Sequence, residues 1–383
     1  MLTSHLVPAA FLLGASLSTA LPTSGSESAA GQCSPVSFKL SATAQNTIFA
    51  SPPDPSNETQ ILNFITQGLS AGGVPTAGTQ TVSGNFTIDA IYCKPSPGVV
   101  GRDAVQILVH GILYNKTMWS GLGFGDQYNW HAFANDRGYH TLAIDRLGHG
   151  TNPQIPDPLN VVQGWLHVEI IHKLIQAVRT NAANNALDRA FGKVIYTGHS
   201  YGSQIAPWLA RNYPSDADAL VLTGYSNSPN IATIASLQYR PAARVKPQRF
   251  AGYPLGYVTQ SNATQHTLSF YTGAYDPAIP VADLRFPDTV TDGEASALSG
   301  QLLFNATGYA KPVFIATGVS DVFFCSPPLA TCNAILAATG RDVFPTASSF
   351  GYFAPEQTGH DLSLHYSAPL SLCKIHEFLE GFF

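Results

Sequence analysis

A serine between two glycines stands where a strand-like stretch meets a helix-like one. Residues 198–202 read Gly-His-Ser-Tyr-Gly and match the pattern G-x-S-x-G. The apolar residues 194–196 precede the motif and a helical stretch follows it, which is the setting in which this pattern presents a nucleophile. The glycines leave room for a strained turn that lifts the Ser200 hydroxyl above a sheet. We therefore predict a nucleophilic Ser200; a glycine-rich turn with a solvent-facing serine is the alternative.

The residues around this motif predict alternating strands and helices. Short, continuously apolar runs are typical of strands that a parallel sheet buries on both faces. Two further strand-like stretches, 36–42 and 82–93, precede the alternation. The sequence therefore predicts an α/β fold with a mostly parallel central sheet flanked by helices. The apolar runs are 104–109, 139–144, 193–197, 219–223 and 312–317, and the helical stretches are 127–137, 162–181 and 203–212.

A segment rich in Tyr, Pro, Ala and Gly separates the runs at 219–223 and 312–317. A structureless loop of that length is uncommon in a compact domain. We predict an inserted cap over the carboxyl edge of the sheet, where ligands bind in open α/β folds. The predicted divisions are a signal peptide at 1–20, the first part of the core at 21–224, the cap at 225–311 and the second part of the core at 312–383.

Several landmarks follow the order of the α/β-hydrolase fold superfamily, which the chain resembles over roughly residues 80–383. His110 and Gly111 end the first buried run like the H-G oxyanion motif of that family, and residues 145–150 resemble its D-x-x-G-x-G turn. The nucleophile motif, a cap, an acid and a late histidine come next. The elbow residue is serine, whereas epoxide hydrolases and haloalkane dehalogenases carry aspartate there and dienelactone hydrolases carry cysteine. The resemblance is therefore to a secreted serine hydrolase of the AB hydrolase-1 type with a cap insertion.

This resemblance implies the remaining members of a catalytic site. Asp321 follows the run at 312–317 and corresponds to the acid, with Asp276 in the cap as the fallback. His360, within Thr-Gly-His-Asp at 358–361, corresponds to the base. The backbone N–H groups of Ile112 and Tyr201 correspond to the oxyanion donors. A turn aspartate with local hydrogen bonds and a structural histidine are the alternative interpretations.

The implied reaction is cleavage of a carboxylic ester or related acyl bond through an acyl-serine intermediate. Acyl transfer and an aminopeptidase-like activity would use the same triad, and a non-hydrolytic binding scaffold would share the fold. Aromatic residues in the cap favour a bulky or aromatic small-molecule acyl substrate, although such residues more often form the core of the cap itself. No cofactor is expected. The aromatic residues are Tyr225, Tyr239, Phe250, Tyr253, Tyr257, Phe270 and Tyr271.

Composition and the N-terminus bear on partners and location. A net charge of -5 and 11% charged residues give no electrostatic reason to expect nucleic acid or an anionic membrane as a partner. Residues 6–17 are almost wholly apolar and residues 18–20 are small, which predicts a cleaved signal peptide. About 12 apolar residues are too few to span a bilayer, and no later segment is long enough. We expect a secreted protein without a membrane span.

Sequons and cysteines agree with export. None of the five cysteines has metal-ligand spacing, so no metal site is expected. In an oxidising compartment we expect the disulfides Cys33–Cys93 and Cys325–Cys332, with Cys373 unpaired and buried on the last helix. Five N-x-T sequons predict glycosylation, at Asn57, Asn85, Asn115, Asn262 and Asn305.

Overall fold

A computed structural model describes residues 33–70, 72–180, 186, 187, 189–301 and 304–383. The signal peptide predicted at 1–20 lies outside these residues. The strands are β1 (Cys33–Phe49), β2 (Thr76–Cys93), β3 (Ala104–Val109), β4 (His140–Ile144), β5 (Lys193–His199), β6 (Ala219–Thr223), β7 (Tyr239–Pro241), β8 (Tyr257–Gln260), β9 (Val290–Thr291), β10 (Val313–Ala316) and β11 (Phe350–Phe353).

Helices connect and cover these strands. Within the described residues, no helix combines the length and the apolar character that crossing a bilayer requires. The helices are α1 (Glu58–Gly68), α2 (Trp130–Asn135), α3 (Gly164–Arg179), α4 (Tyr201–Asn212), α5 (Ile231–Ala235), α6 (Ala242–Val245), α7 (Pro247–Phe250), α8 (Ala263–Phe270), α9 (Ala278–Asp283), α10 (Asp292–Gln301), α11 (Leu329–Val343) and α12 (Ala368–Glu380). Short 3-10 turns occupy Lys116–Gly123, Asp126–Tyr128 and Leu362–Leu364.

The central sheet has eight strands in the order β1-β2-β4-β3-β5-β6-β10-β11. The six strands from β4 to β11 run parallel, and β2 joins them antiparallel through β4. Every residue of β3, β4 and β6 is buried, as the continuous apolar runs predicted. Helices α3 and α4 contact each other beside the sheet, as do α2 and α12. The structure thus confirms the predicted fold class.

The first two strands pair antiparallel and are longer than the sequence predicted. Side chains of β1 alternate between exposed and buried, and Phe38 and Leu40 are among those that face the core. The outward side chains include Lys39 and several Ser, Thr and Gln residues, whose cross-strand hydrogen bonds include Ser41 to Asn85. This polar outer face carries little hydrophobic contrast, which explains why only 36–42 and 82–93 are strand-like in the sequence.

The segment between β6 and β10 contains α5–α10 and a small antiparallel sheet, β7-β8-β9. We keep the name cap for residues 225–311. The strands of this small sheet have two to four residues each, so they are too short to show a sequence pattern. The cap also contacts the N-terminal part of the chain, where α10 packs against α1.

The cap contains a buried carboxyl group, on Asp292, that gives a test by pH. Asp292 is 3% exposed, and burial, aided by the nearby Asp157 carboxylate, raises its pKa to about 8. A carboxyl whose pKa is raised on folding holds its proton in the folded state while the unfolded chain loses it. The free energy of unfolding therefore falls by about 1.4 kcal/mol per pH unit between pH 4 and 8 on account of this group.

We expect Asp292→Asn to remove this pH-dependent loss. The amide oxygen can still accept the Gly293 N–H, which lies 3.0 Å from Oδ1 in the native side chain. The stability difference, variant minus wild type, should become more positive as the pH rises from 5 to 8. Urea unfolding at several pH values measures it, and the exposed Asp126→Asn serves as the surface control. A difference that stays constant with pH would contradict the prediction.

Candidate active site

Ser200 occupies a sharp turn between β5 and α4. Its backbone has φ 52° and ψ −116°, a left-handed conformation that costs a non-glycine residue free energy and is common at functional sites. A Cβ on Gly202 would lie 2.2 Å from the Val109 carbonyl oxygen, and one on Gly198 would lie 2.6 Å from the Gly202 carbonyl group. The G-x-S-x-G spacing is therefore required by close packing of the turn. Ser200 is 8% exposed.

His360 and Asp321 are brought together from two loops. Asp321 follows β10 and His360 follows β11, and His360 Nδ1 lies 2.8 Å from Asp321 Oδ2. The other oxygen of Asp321 accepts the backbone N–H groups of Phe323 and Phe324 at 2.9 and 3.1 Å. Both partners are buried. Asp321 is thus held from both sides, and Nδ1 of His360 is its donor.

The protonation of His360 is set by opposing effects. Burial disfavours the imidazolium form, but the Asp321 carboxylate and its hydrogen bond outweigh burial and raise the pKa of His360 above its ordinary value. With Nδ1 bonded to Asp321, Nε2 is the nitrogen left for a reacting proton. The described residues contain no hydrogen bond from Ser200 Oγ to His360. Such bonds are often long in substrate-free sites and tighten when substrate binds.

Ser200 and His360 line one narrow cavity. Ile112 and Tyr201, the two residues expected to supply oxyanion donors, also line it. Their backbone N–H groups donate to no backbone acceptor within the described part of the chain. Tyr201 is the first residue of α4, so its N–H belongs to the positive end of the helix dipole. The remaining wall is apolar apart from Gln204 and consists of Ile234, Leu237, Phe270, Leu298, Phe323 and Phe324.

The cap contributes to this cavity with fewer aromatic side chains than the sequence suggested. Of the seven aromatic residues named from the cap sequence, Phe270 lines the cavity. The others pack elsewhere; Tyr257 and Tyr271, for example, are fully buried. Ile234, Leu237 and Leu298 are the aliphatic cap residues that line it. Asp276, the fallback acid, accepts the Ala278 N–H at the start of α9 and is not among the lining residues.

The sequence did not reveal a buried ionic cluster behind residues 110–112, the oxyanion loop, which contains the expected donor Ile112. Arg146 donates to the carbonyl oxygens of His110 and Gly111, at 3.1 and 3.2 Å, and its guanidinium lies 4.8 Å from the Tyr201 ring centroid. Glu294, from the cap, pairs with Arg146 and with Nε2 of His149. Arg146 thus contacts both sides of the expected oxyanion site. Only the Asp-Arg motif gave a sequence signal, because Glu294 lies far along the chain.

We expect Glu294→Gln to lower the free energy of unfolding by about 3–5 kcal/mol, because it leaves the Arg146 charge buried without its counter-ion. Neither side chain of this pair is exposed to solvent. Burial opposes the charge of Glu294, but Arg146 and His149 outweigh it and hold the pKa of that carboxyl well below its ordinary range. Denaturant unfolding at pH 7 measures the change.

The matched control for this variant is Glu58→Gln. Glu58 pairs with Arg240 at 3.0 Å, but the two side chains are 31% and 59% exposed. Such exposed pairs contribute less than about 1 kcal/mol. Equal, small effects of the two substitutions would contradict the role assigned to the buried pair.

Among the described residues, two groups of side chains could geometrically hold a metal ion. His149, His167 and Glu294 form one, and His199, His360 and Asp361 form the other. In the first group the Arg146 guanidinium lies against both Glu294 and His167, so a second cation is electrostatically disfavoured. In the second group His199 and Asp361 are already hydrogen-bonded to each other.

The structure pairs the cysteines as the sequence suggested, with disulfides Cys33–Cys93 and Cys325–Cys332. Residues 33 and 93 face each other in the β1–β2 register. Cys373 is unpaired on α12 but is only half-buried, with its thiol 3.3 Å from a carboxylate oxygen of Glu377. The expectation of a buried Cys373 is therefore wrong, because its position on the helix faces partly outward.

One sequon conflicts with the structure. Asn115 is 7% exposed, and the amide nitrogen that would carry a glycan donates to Asp288 at 3.0 Å. Its side-chain oxygen also caps the following 3-10 turn. A glycan on this buried nitrogen would displace the contact with Asp288, so the structure disfavours glycosylation at Asn115. Asn85 and Asn305 are exposed, and Asn57 and Asn262 are half-buried.

Comparison with known proteins gives a consistent result. A model of the alpha/beta hydrolase family matches residues 106–374, more than half of the chain, and the protein belongs to this family. Similar solved structures include an epoxide hydrolase from Vigna radiata, with a TM-score of 0.52 and 16% identity over 78% of this chain and 95% of that one. A monoacylglycerol lipase from Paleococcus ferrophilus has a TM-score of 0.50 and 15% identity over 76% of this chain and 98% of that one. These identities show the fold alone, and no curated protein sequence matches significantly. The family supports hydrolase activity.

Proposed function

We propose that this protein is a secreted serine hydrolase that cleaves a carboxylic ester or a related acyl bond through an acyl-serine intermediate. One observation carries the proposal. Ser200, in a strained turn at the N-terminus of α4, shares a cavity with His360, whose Nδ1 is bonded to the buried Asp321. A serine hydroxyl needs an adjacent base to act as a nucleophile, and an oriented imidazole supplies it.

In the proposed reaction, His360 Nε2 takes the proton of Ser200 Oγ as the oxygen attacks the acyl carbon. The carbonyl oxygen becomes an oxyanion that accepts the N–H groups of Ile112 and Tyr201. The imidazolium then returns its proton to the leaving alcohol, which departs and leaves an acyl-serine. A water molecule repeats the sequence, releasing the acid and restoring Ser200. Asp321 holds the imidazole in the required tautomer throughout.

The cavity bears on the substrate class. The space open to a water-sized molecule inside it is only about 30 Å³, and its wall is mainly aliphatic and aromatic. This favours an ester with a small or medium-sized apolar acyl group. A bulky aromatic substrate would need the cap to move.

The alternative activities differ in the chemical groups that the cavity must present to the substrate. An aminopeptidase-like enzyme binds a substrate ammonium group, which a carboxylate would stabilise. Among the described residues that line the cavity, none is Asp or Glu. This favours ester cleavage over release of N-terminal residues. Acyl transfer differs only in the acceptor that replaces water.

Secretion forms part of the proposal and is supported by the apolar start of the chain and by two disulfides. Expression of the full chain, with its own residues 1–20 as the only leader, in a secreting host tests this part of the proposal. Recovery of the protein in the medium with an N-terminus near residue 21 is expected. Retention in cells would contradict it.

Labelling with a fluorophosphonate probe tests the proposed nucleophile. We expect the folded protein to be labelled at one residue and Ser200→Ala to remain unlabelled, while Ser261→Ala, which removes an exposed hydroxyl, keeps the label. A panel of chromogenic esters of graded acyl length, beside aminoacyl amides, then defines the substrate class. Labelling that survives Ser200→Ala, or a folded wild type that is not labelled, would favour a non-hydrolytic scaffold.

A further inference from the structure

A second histidine–aspartate pair lies directly beside the proposed triad. His199 immediately precedes Ser200, and Asp361 immediately follows His360. His199 Nε2 lies 2.9 Å from Asp361 Oδ1, and all four residues are buried. This contact connects the nucleophile turn to the loop that carries the base.

The two imidazoles are packed closely. Their ring centroids are 4.8 Å apart, and His199 Nδ1 lies 3.1 Å from the Thr223 hydroxyl. A Cβ on Gly224 would lie 2.9 Å from His360 Cε1 and 3.0 Å from His199 Cε1. Only glycine at position 224 leaves room for both rings, so the pair is built into the site.

Asp361 also reaches the loop that carries Ile112. The Tyr114 hydroxyl donates to Asp361 Oδ2 at 2.6 Å, and Tyr114 lies two residues beyond Ile112. Behind it, Asp283 of the cap accepts the Tyr271 hydroxyl, and the Tyr114 oxygen lies 2.7 Å from the same carboxylate oxygen. The Asp361 carboxylate therefore contacts His199, which precedes Ser200, and Tyr114, which lies near Ile112. Asp361 itself follows His360 in the sequence.

The ionisable groups around these residues are few and can be named. Asp321, Asp361 and His199 face His360, while Phe270, Phe323 and Phe324 cover the rest of its ring. Asp361 is faced by His199, His360, Tyr114 and, on its backbone oxygen, His365. Burial opposes the charge of Asp361, but the hydrogen bond and charge of His199 outweigh it and hold the pKa of Asp361 below its ordinary value.

We propose that Asp361 is a positioning residue for the proposed acyl chemistry: through His199 and Tyr114 it holds the nucleophile turn, the base loop and the oxyanion loop together, and its carboxylate stabilises the imidazolium of His360. This inference rests on the proposed function. It assigns a second carboxylate to the base besides Asp321, and it gives His199 a role in aligning Ser200.

Asp361→Asn removes the negative charge of this side chain and keeps its hydrogen-bonded contacts with His199 and Tyr114. The amide oxygen can accept from His199 and the amide group can donate to the Tyr114 oxygen, so the geometry is preserved while the charge is lost. Without that charge the pKa of His360 falls, and His360 stays unprotonated to lower pH. The acidic limb of kcat/KM should therefore move to lower pH, while kcat at its plateau falls roughly 10- to 100-fold because the imidazolium is less stabilised. KM should change little, since Asp361 does not line the cavity.

Tyr114→Phe is the matched variant, because it removes the hydroxyl contacts with Asp361 and Asp283 and keeps the Asp361 charge. We expect kcat to fall less than tenfold and the acidic limb to stay in place. If Asp361→Asn proves unfolded by circular dichroism, Tyr114→Phe decides: an unchanged kcat overturns the proposal. An acidic limb that is the same in Asp361→Asn and wild type also overturns it.

A readout independent of turnover separates this inference from the proposed function. In the Ser200→Ala background, NMR of the imidazole nitrogens gives the pKa of His360 with and without Asp361→Asn, and a lower value is expected in the double variant. If wild type is labelled by the fluorophosphonate but the His360 pKa and the rate are unchanged, the positioning role alone fails. If wild type is not labelled, the proposed function fails, and the NMR titration still decides the electrostatic contact.

Discussion

Ser200→Ala is expected to lower kcat for ester hydrolysis about 10⁶-fold, the largest effect of any single change in this chain. The substitution removes the atom proposed to carry the acyl group, while the cavity and the proposed oxyanion donors remain. KM should change little because the hydroxyl contributes little to binding the apolar part of a substrate. Pre-steady-state kinetics with excess chromogenic ester would show the loss of any acyl-enzyme burst.

The double variant Ser200→Ala/His360→Ala sharpens this test. If the hydroxyl and the imidazole act as one unit, removing both costs no more than removing either, and each single variant costs about the same. Independent roles would give effects that multiply. Additive free-energy losses would therefore contradict the proton transfer from Ser200 to His360, even if both single variants were inactive.

The parallel core could be predicted from sequence because its strands carry a simple signal. β3, β4 and β6 are buried along their whole length, so each appears as an uninterrupted apolar run. The Ser200 turn could also be predicted, since its glycines are dictated by contacts of under 3 Å. In both cases a local physical constraint acts on adjacent residues.

Elements with weak local contrast could not be predicted. β11 has four residues, none fully buried, at the edge of the sheet. α11 is rich in Ala and Thr and contains Gly340, so its buried face barely differs from its exposed one. Both elements lie between Asp321 and His360. Because neither was predicted, only the family resemblance indicated that these two residues are the acid and the base of a triad.

Contacts between segments that are distant along the chain could not be predicted from the sequence either. Glu294 meets Arg146 across 148 positions, and Asp361 meets His199 across 162. Asp361 and His199 stand next to the predicted base and nucleophile, so adjacency was a usable signal. Nothing local indicated that their side chains would meet, because that depends on how two loops approach each other at the edge of the sheet.

The identity of the acid can be decided by Asp321→Asn, for which we expect kcat to fall about 10⁴-fold at neutral pH. The reason lies in how the carboxylate is held. Its Oδ1 accepts the N–H groups of Phe323 and Phe324, so an asparagine would keep its oxygen there and turn its NH₂ group toward His360 Nδ1. That nitrogen must then accept a hydrogen bond, which places the imidazole proton on Nε2. An imidazole in this tautomer cannot take the proton of Ser200.

Asp276→Asn is the matched control, because Asp276 is the other acid that the order of the motifs allowed. Its carboxylate accepts the Ala278 N–H at the start of α9, an acceptor role that asparagine also fulfils. We expect this variant to retain wild-type kcat and labelling. The reverse outcome is a large loss for Asp276→Asn and none for Asp321→Asn. It would show that the cap orients the base and that the contact between Asp321 and His360 is purely structural.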